Sequence, residues 1–80
     1  MFEIKYSNTS LKILSKLDSR TIERIRTSIS KIPNGDIKRL HGETPRIFYR
    51  LRVGKFRVIF RIIEDTVFVD KIDTRGDVYK

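Results

Sequence analysis

The chain opens Phe2-Glu3-Ile4-Lys5-Tyr6, apolar and polar by turns. A period of two predicts a short half-buried strand. Ser7 to Ser10 then offers several good helix N-cap side chains before Leu11. Leu11, Leu14 and Leu17 recur at helical spacing, with Ile13 widening the stripe, and predict a short helix near 10–17. Asp18 and Ser19 interrupt that stripe and can cap a second helix. In it Ile22, Ile25, Ile29 and Ile32 return at intervals of three, four and three, opposite Arg20, Glu23, Arg24, Arg26 and Lys31. Pro33-Asn34-Gly35 closes the helix. From Ile47 the period changes to two, and 47–53, 56–63 and 66–72 read as strands separated by Gly54-Lys55 and Glu64-Asp65. Two-residue gaps are hairpin loops; the second, lacking glycine, has room for one more residue. The predicted architecture is a single α+β domain over 1–80, ordered β-α-α-β-β-β. A helical hairpin packs on one face of an antiparallel sheet.

A two-residue loop at Gly54-Lys55 sets a register in which Val53 faces Phe56, Arg52 faces Arg57, Leu51 faces Val58, Arg50 faces Ile59 and Tyr49 faces Phe60. Paired residues share a face. Ile47, Tyr49, Leu51, Val53, Phe56, Val58, Phe60, Ile62, Val67 and Val69 therefore form the expected core face. Arg50, Arg52, Arg57 and Arg61 share the outward face with Phe48, Ile59, Ile63, Phe68 and Ile72. A slip of one residue would bury all four arginines, so the register is strongly specified.

Charge sharpens this picture. Eighteen Lys and Arg against ten Asp and Glu give a net charge of +8. Between Thr44 and Ile63 lie Arg46, Arg50, Arg52, Lys55, Arg57 and Arg61, and no acidic residue. Like charges directly opposite one another are mildly destabilising. The face is either a solvated sheet surface, ordinary in antiparallel sheets, or an anion-binding surface. Arginine favours the second, because its planar guanidinium binds phosphate bidentately. With interleaved aromatic and aliphatic side chains it suits single-stranded nucleic acid, and equally a peptide with acidic and apolar residues.

Absent residue types remove other chemistries. The chain has no cysteine and one histidine, His41, so neither a disulfide framework nor a zinc centre is expected. No cofactor or metal is expected. No apolar run approaches the roughly 20 residues of a membrane span, and the N-terminus lacks a signal-peptide core. A soluble cytoplasmic protein is the expectation. A single core of this size rarely supplies more than about 3–5 kcal/mol, so a stabilising protein partner is a reasonable prior.

Three segments then become recognisable. Lys38-Arg39-Leu40-His41-Gly42, the hairpin from Phe48 to Phe60, and Ile72-Asp73-Thr74-Arg75-Gly76-Asp77-Val78-Tyr79 together resemble the RelE/ParE toxin superfamily. That family shows a K-x-L-x-G turn, a Y-R-L-R-x-G-x-[YF]-R-[VIL] hairpin and an R-x-x-V-Y ending. The likeness spans nearly the whole chain. It implies the toxin of a type II toxin–antitoxin module, partnered in a hetero-oligomer by an acidic, RelB-like antitoxin and carrying no membrane partner. RelE-like members cut mRNA in the ribosomal A site without a metal. ParE-like members inhibit DNA gyrase without nuclease chemistry. A third outcome is an inactive toxin acting only as co-repressor with its antitoxin.

Carried over by position, the RelE-type site falls on Arg50, Arg52, Arg57, Arg75 and Tyr79. The resemblance implies attack of a ribose 2′-hydroxyl on its neighbouring phosphate, with catalytic roles for Arg57, Arg75 and Tyr79. Arg50, Arg52, Arg61, Lys55 and Arg46 are the expected RNA-binding residues. RelE-type sites often place lysines at the positions of Arg50 and Arg52. Arginine stays protonated, so the proton must move through Tyr79, Lys71, His41 or the ribosome. His41 reads otherwise as a solvated turn residue, Tyr79 as a frayed terminus, and Arg75 as a local ion pair with Asp73 or Asp77.

Overall fold

The computed structural model describes residues 2–40 and 46–74. The N-terminal alternation folds as β1, Glu3–Tyr6. Of the four candidate caps, Ser7 is used: its hydroxyl accepts the Ser10 backbone N–H at 3.0 Å. Helix α1 therefore runs Asn8–Leu14, two residues earlier than the leucine stripe predicts. That start turns the fully buried Ser10 and the nearly buried Leu14 inward, one helical turn apart, and leaves Leu11 49% exposed. Helix α2 spans Ser19–Ser30 with Asp18 at its N-cap position. Its Ile25 and Ile29 are fully buried, and Ile32 just beyond it is nearly so.

The sheet holds the expected hairpin strands, β3 Phe48–Val53, β4 Phe56–Ile63 and β5 Thr66–Thr74. Both loops have two residues, with Gly54 at φ 59° and Glu64 at φ 55°. The β3–β4 register is the one the loop length dictates, from Val53 opposite Phe56 to Tyr49 opposite Phe60. The α+β class is as expected, with two additions. An extra strand, β2 at Ile37–Leu40, pairs antiparallel with β3. Its Ile-Lys-Arg-Leu has no period-two alternation to announce it. β1 lies parallel to β5, so the sheet is mixed and ordered β1-β5-β4-β3-β2.

The core lies between the helices and the inner face: Leu14, Ile25, Ile29, Ile32, Leu51, Val53, Phe56, Val58, Phe60, Val67, Val69 and Ile72. Two expected placements change. Ile47 is 44% exposed, ahead of the first residue of β3. Ile72, expected outward, is buried, because β5 carries a bulge. Phe60 pairs with Val69 but Ile59 pairs with Lys71, which leaves Asp70 as the extra residue. The N-terminus of α1 holds this bulge. Ser7 Oγ donates to the Asp70 carbonyl at 2.8 Å, and the Ser7 N–H donates to the Val69 carbonyl at 2.9 Å.

The β3–β4 turn is tied to α2. A Cβ at Gly54 would stand 3.1 Å from Arg24 Nη2, and its φ is positive. Gly54→Ala is therefore expected to lower stability by about 1–2 kcal/mol, measured by urea denaturation. An unchanged midpoint would show that the turn relaxes freely.

Candidate nucleic-acid interface

Strand pairing assembles the outward face in rows, since paired residues point to the same side. One row runs Lys38, Arg50, Ile59 and Lys71 across β2, β3, β4 and β5. The next runs Arg52, Arg57 and Asp73. Phe68 pairs with Arg61 and Phe48 with Leu40. All four predicted arginines thus share this face. Lys71, a candidate proton carrier, stands on it too, and Lys38 joins it without having been assigned to the site. Only the pairing of Lys38 with Arg50 places Lys38 there, because the short strand carries no alternation of its own.

Neutralisation divides the arginines. Although 44–63 has no acidic residue, β5 brings two carboxylates across. Arg61 Nε and Nη2 donate to Asp70 at 2.8 and 3.0 Å. The Arg61 guanidinium also lies 5.8 Å from the Phe48 ring centroid and 5.6 Å from that of Phe68, within cation–π range. The Asp70 bond raises the Arg61 pKa above its ordinary value, with burial opposing. Arg57 Nε and Nη2 donate to Asp73 at 3.1 and 3.2 Å, and Lys71 Nζ stands 3.8 Å from the same carboxylate. The expected uncompensated quartet is corrected: the bulge moves Asp73 opposite Arg57 and sets Asp70 on Arg61.

Arg50 and Arg52 differ. Each is half-buried with a buried Nε that has no hydrogen-bond partner. Arg52 Nε is 4.0 Å from Asp36 Oδ2, beyond hydrogen-bonding range. Lys55 sits in the β3–β4 turn with its ammonium 5.7 Å from the Phe56 ring centroid. Arg46 is exposed ahead of β3. His41, Arg75 and Tyr79 lie outside the described residues. Among the described residues no carboxylate and histidine group could hold a metal, and no helix is long and apolar enough to cross a membrane.

A row of cations crossed by apolar side chains can hold a phosphate chain while bases or apolar groups settle between. Among the described residues, neither Arg50 nor Arg52 is hydrogen-bonded to a carboxylate.

No protein-family model and no curated protein matches the chain. Solved structures do. The toxin–antitoxin complex RelBE2 from Mycobacterium tuberculosis holds a chain 24% identical to this one; the match covers 92% of this chain and 98% of that one, with TM-score 0.75. The archaeal RelE–RelB complex from Pyrococcus horikoshii matches at 23% identity over 96% and 98%, also with TM-score 0.75. The isolated E. coli RelE toxin matches at 21% identity over 99% and 92%, with TM-score 0.70. The chain has the fold of the RelE toxins.

Proposed function

We propose that this protein is the toxin of a toxin–antitoxin module and a metal-independent endoribonuclease that cuts mRNA on the ribosome. One observation carries the proposal: within a RelE-like fold, Lys38, Arg50 and Arg52 stand on one sheet face, and among the described residues no carboxylate hydrogen-bonds either arginine. In the reaction a ribose 2′-oxygen bonds to the adjacent phosphorus, and the bond from phosphorus to the 5′-oxygen breaks. A 2′,3′-cyclic phosphate and a 5′-hydroxyl result. Charge builds on the phosphorane oxygens, and fixed guanidinium groups stabilise it more than they stabilise the ground state.

Arg50 and Arg52 hold flanking phosphates, while Arg57 and Arg75 meet the scissile one. Tyr79 stacks on a base or moves the proton, a role no arginine can fill; Lys71, His41 and the ribosome are the other routes. Arg61 leaves the RNA-binding set, because Asp70 and two aromatic rings already occupy it. The partner is an acidic antitoxin, disordered when free. Support comes from the solved complexes of similar fold, which pair RelE with RelB.

Primer extension on translating ribosomes is expected to show cuts that Arg57→Ala abolishes. Intact message with wild-type protein would count against the ribonuclease reading. The carboxylates on Arg57 and Arg61 favour a second reading, a ParE-like gyrase inhibitor without nuclease chemistry, and a supercoiling assay separates the two.

A further inference from the structure

The Asp73 carboxylate lies on the bidentate edge of Arg57. It takes two hydrogen bonds, from Nε and Nη2, and has the Lys71 ammonium 3.8 Å from Oδ2. The same guanidinium edge is the one that grips phosphate bidentately. Across the ladder, Arg52 lies directly opposite Arg57, its Nε without a hydrogen bond and 4.0 Å from Asp36 Oδ2. Two cations thus meet on one intramolecular anion, with Arg52 as the ladder neighbour of Arg57. Only the β5 bulge makes this so, since an unbroken ladder would set Ile72 opposite Arg57.

We propose that Asp73 is a built-in occupant of a phosphate seat formed by Arg57 and Lys71, and that an RNA phosphate binds there by displacing it. The inference rests on reading this face as an RNA surface, and it adds a device that holds the seat closed until a polyanion competes. A polyanion anchored at Lys38 and Arg50 reaches the seat at high local concentration, whereas a lone anion must oust the carboxylate unaided. The seat therefore discriminates for an extended strand. Asp70 has no such role, because Arg61 is enclosed by Phe48 and Phe68.

The test uses a single-stranded RNA oligonucleotide made uncleavable by 2′-deoxy substitution, with affinity measured at several salt concentrations. Asp73→Asn and Asp73→Ser are each expected to bind about tenfold more tightly than wild type. Each should also steepen the salt dependence by about one unit, the effect of neutralising one further phosphate. Adding Arg57→Ala should erase the improvement. Unchanged or weaker binding in both variants would overturn the proposal and make Asp73 a positioning residue for Arg57. In the wild-type protein, the Arg57 Nε–H resonance should shift as the oligonucleotide is added; an unmoved resonance at saturation overturns the displacement without any variant. Absence of binding by every chain removes the proposal together with the RNA reading. Tighter binding by the variants with message left intact on ribosomes preserves the seat and removes only the nuclease reading.

Discussion

Arg50→Ala combined with Arg52→Ala is expected to leave the fold intact and to weaken binding of single-stranded RNA by about 50-fold at about 0.1 M salt. The salt dependence should flatten by about two units, one for each phosphate no longer neutralised. Stability should hold or rise slightly. Each truncation removes a buried Nε that no acceptor satisfies, and such a donor costs free energy while it remains. Arg61→Ala is the control with the reverse signature. It breaks two hydrogen bonds to Asp70 and two ring contacts, at a cost of about 2 kcal/mol, and RNA affinity should barely move. Affinity readings by fluorescence anisotropy and midpoints by urea denaturation separate the pair. If the double variant binds RNA like wild type, the phosphate chain does not run over this face.

That contrast shows how far the letters carry. The arginine face was legible because side-chain alternation and a two-residue loop leave one register that keeps four guanidinium groups out of the core. The observed pairing of Arg52 with Arg57 follows it residue for residue. What escaped was the state of those groups. Pairing of β5 across a bulge decides which carboxylate meets which arginine, and a strict alternation puts Ile72 where Asp73 stands. A trace of the bulge was present: apolar Val69 and Ile72 are three residues apart, with Asp70 and Lys71 between them. Only an extra residue sends both apolar side chains inward. β2 escaped for a different reason. Four residues with two central cations carry no period of two, and the strand exists because the β3 edge was there to pair. Arg75 and Tyr79 were assigned by resemblance alone, so nothing in local pattern could place them.

Phe60→Ala is expected to leave most of the protein unfolded at 25 °C, detected as loss of the cooperative urea transition and of the folded circular-dichroism spectrum. Phe60 is fully buried at the centre of β4, with its ring stacked 5.5 Å from that of Tyr49. Truncating a buried phenylalanine costs about 3–5 kcal/mol. That equals the whole stability of about 3–5 kcal/mol that a single core of this size supplies. Ile63→Ala, at the far end of β4 and 49% exposed, should change stability by no more than about 0.5 kcal/mol. The same arithmetic gives the proposed partner a role. A chain that binds only the folded form at a hundred times its dissociation constant adds about 2.7 kcal/mol. An acidic antitoxin supplied at that level should therefore restore much of the folded Phe60→Ala population. A variant that stays folded alone would mean that the core is better able to collapse around the lost ring than its close packing allows.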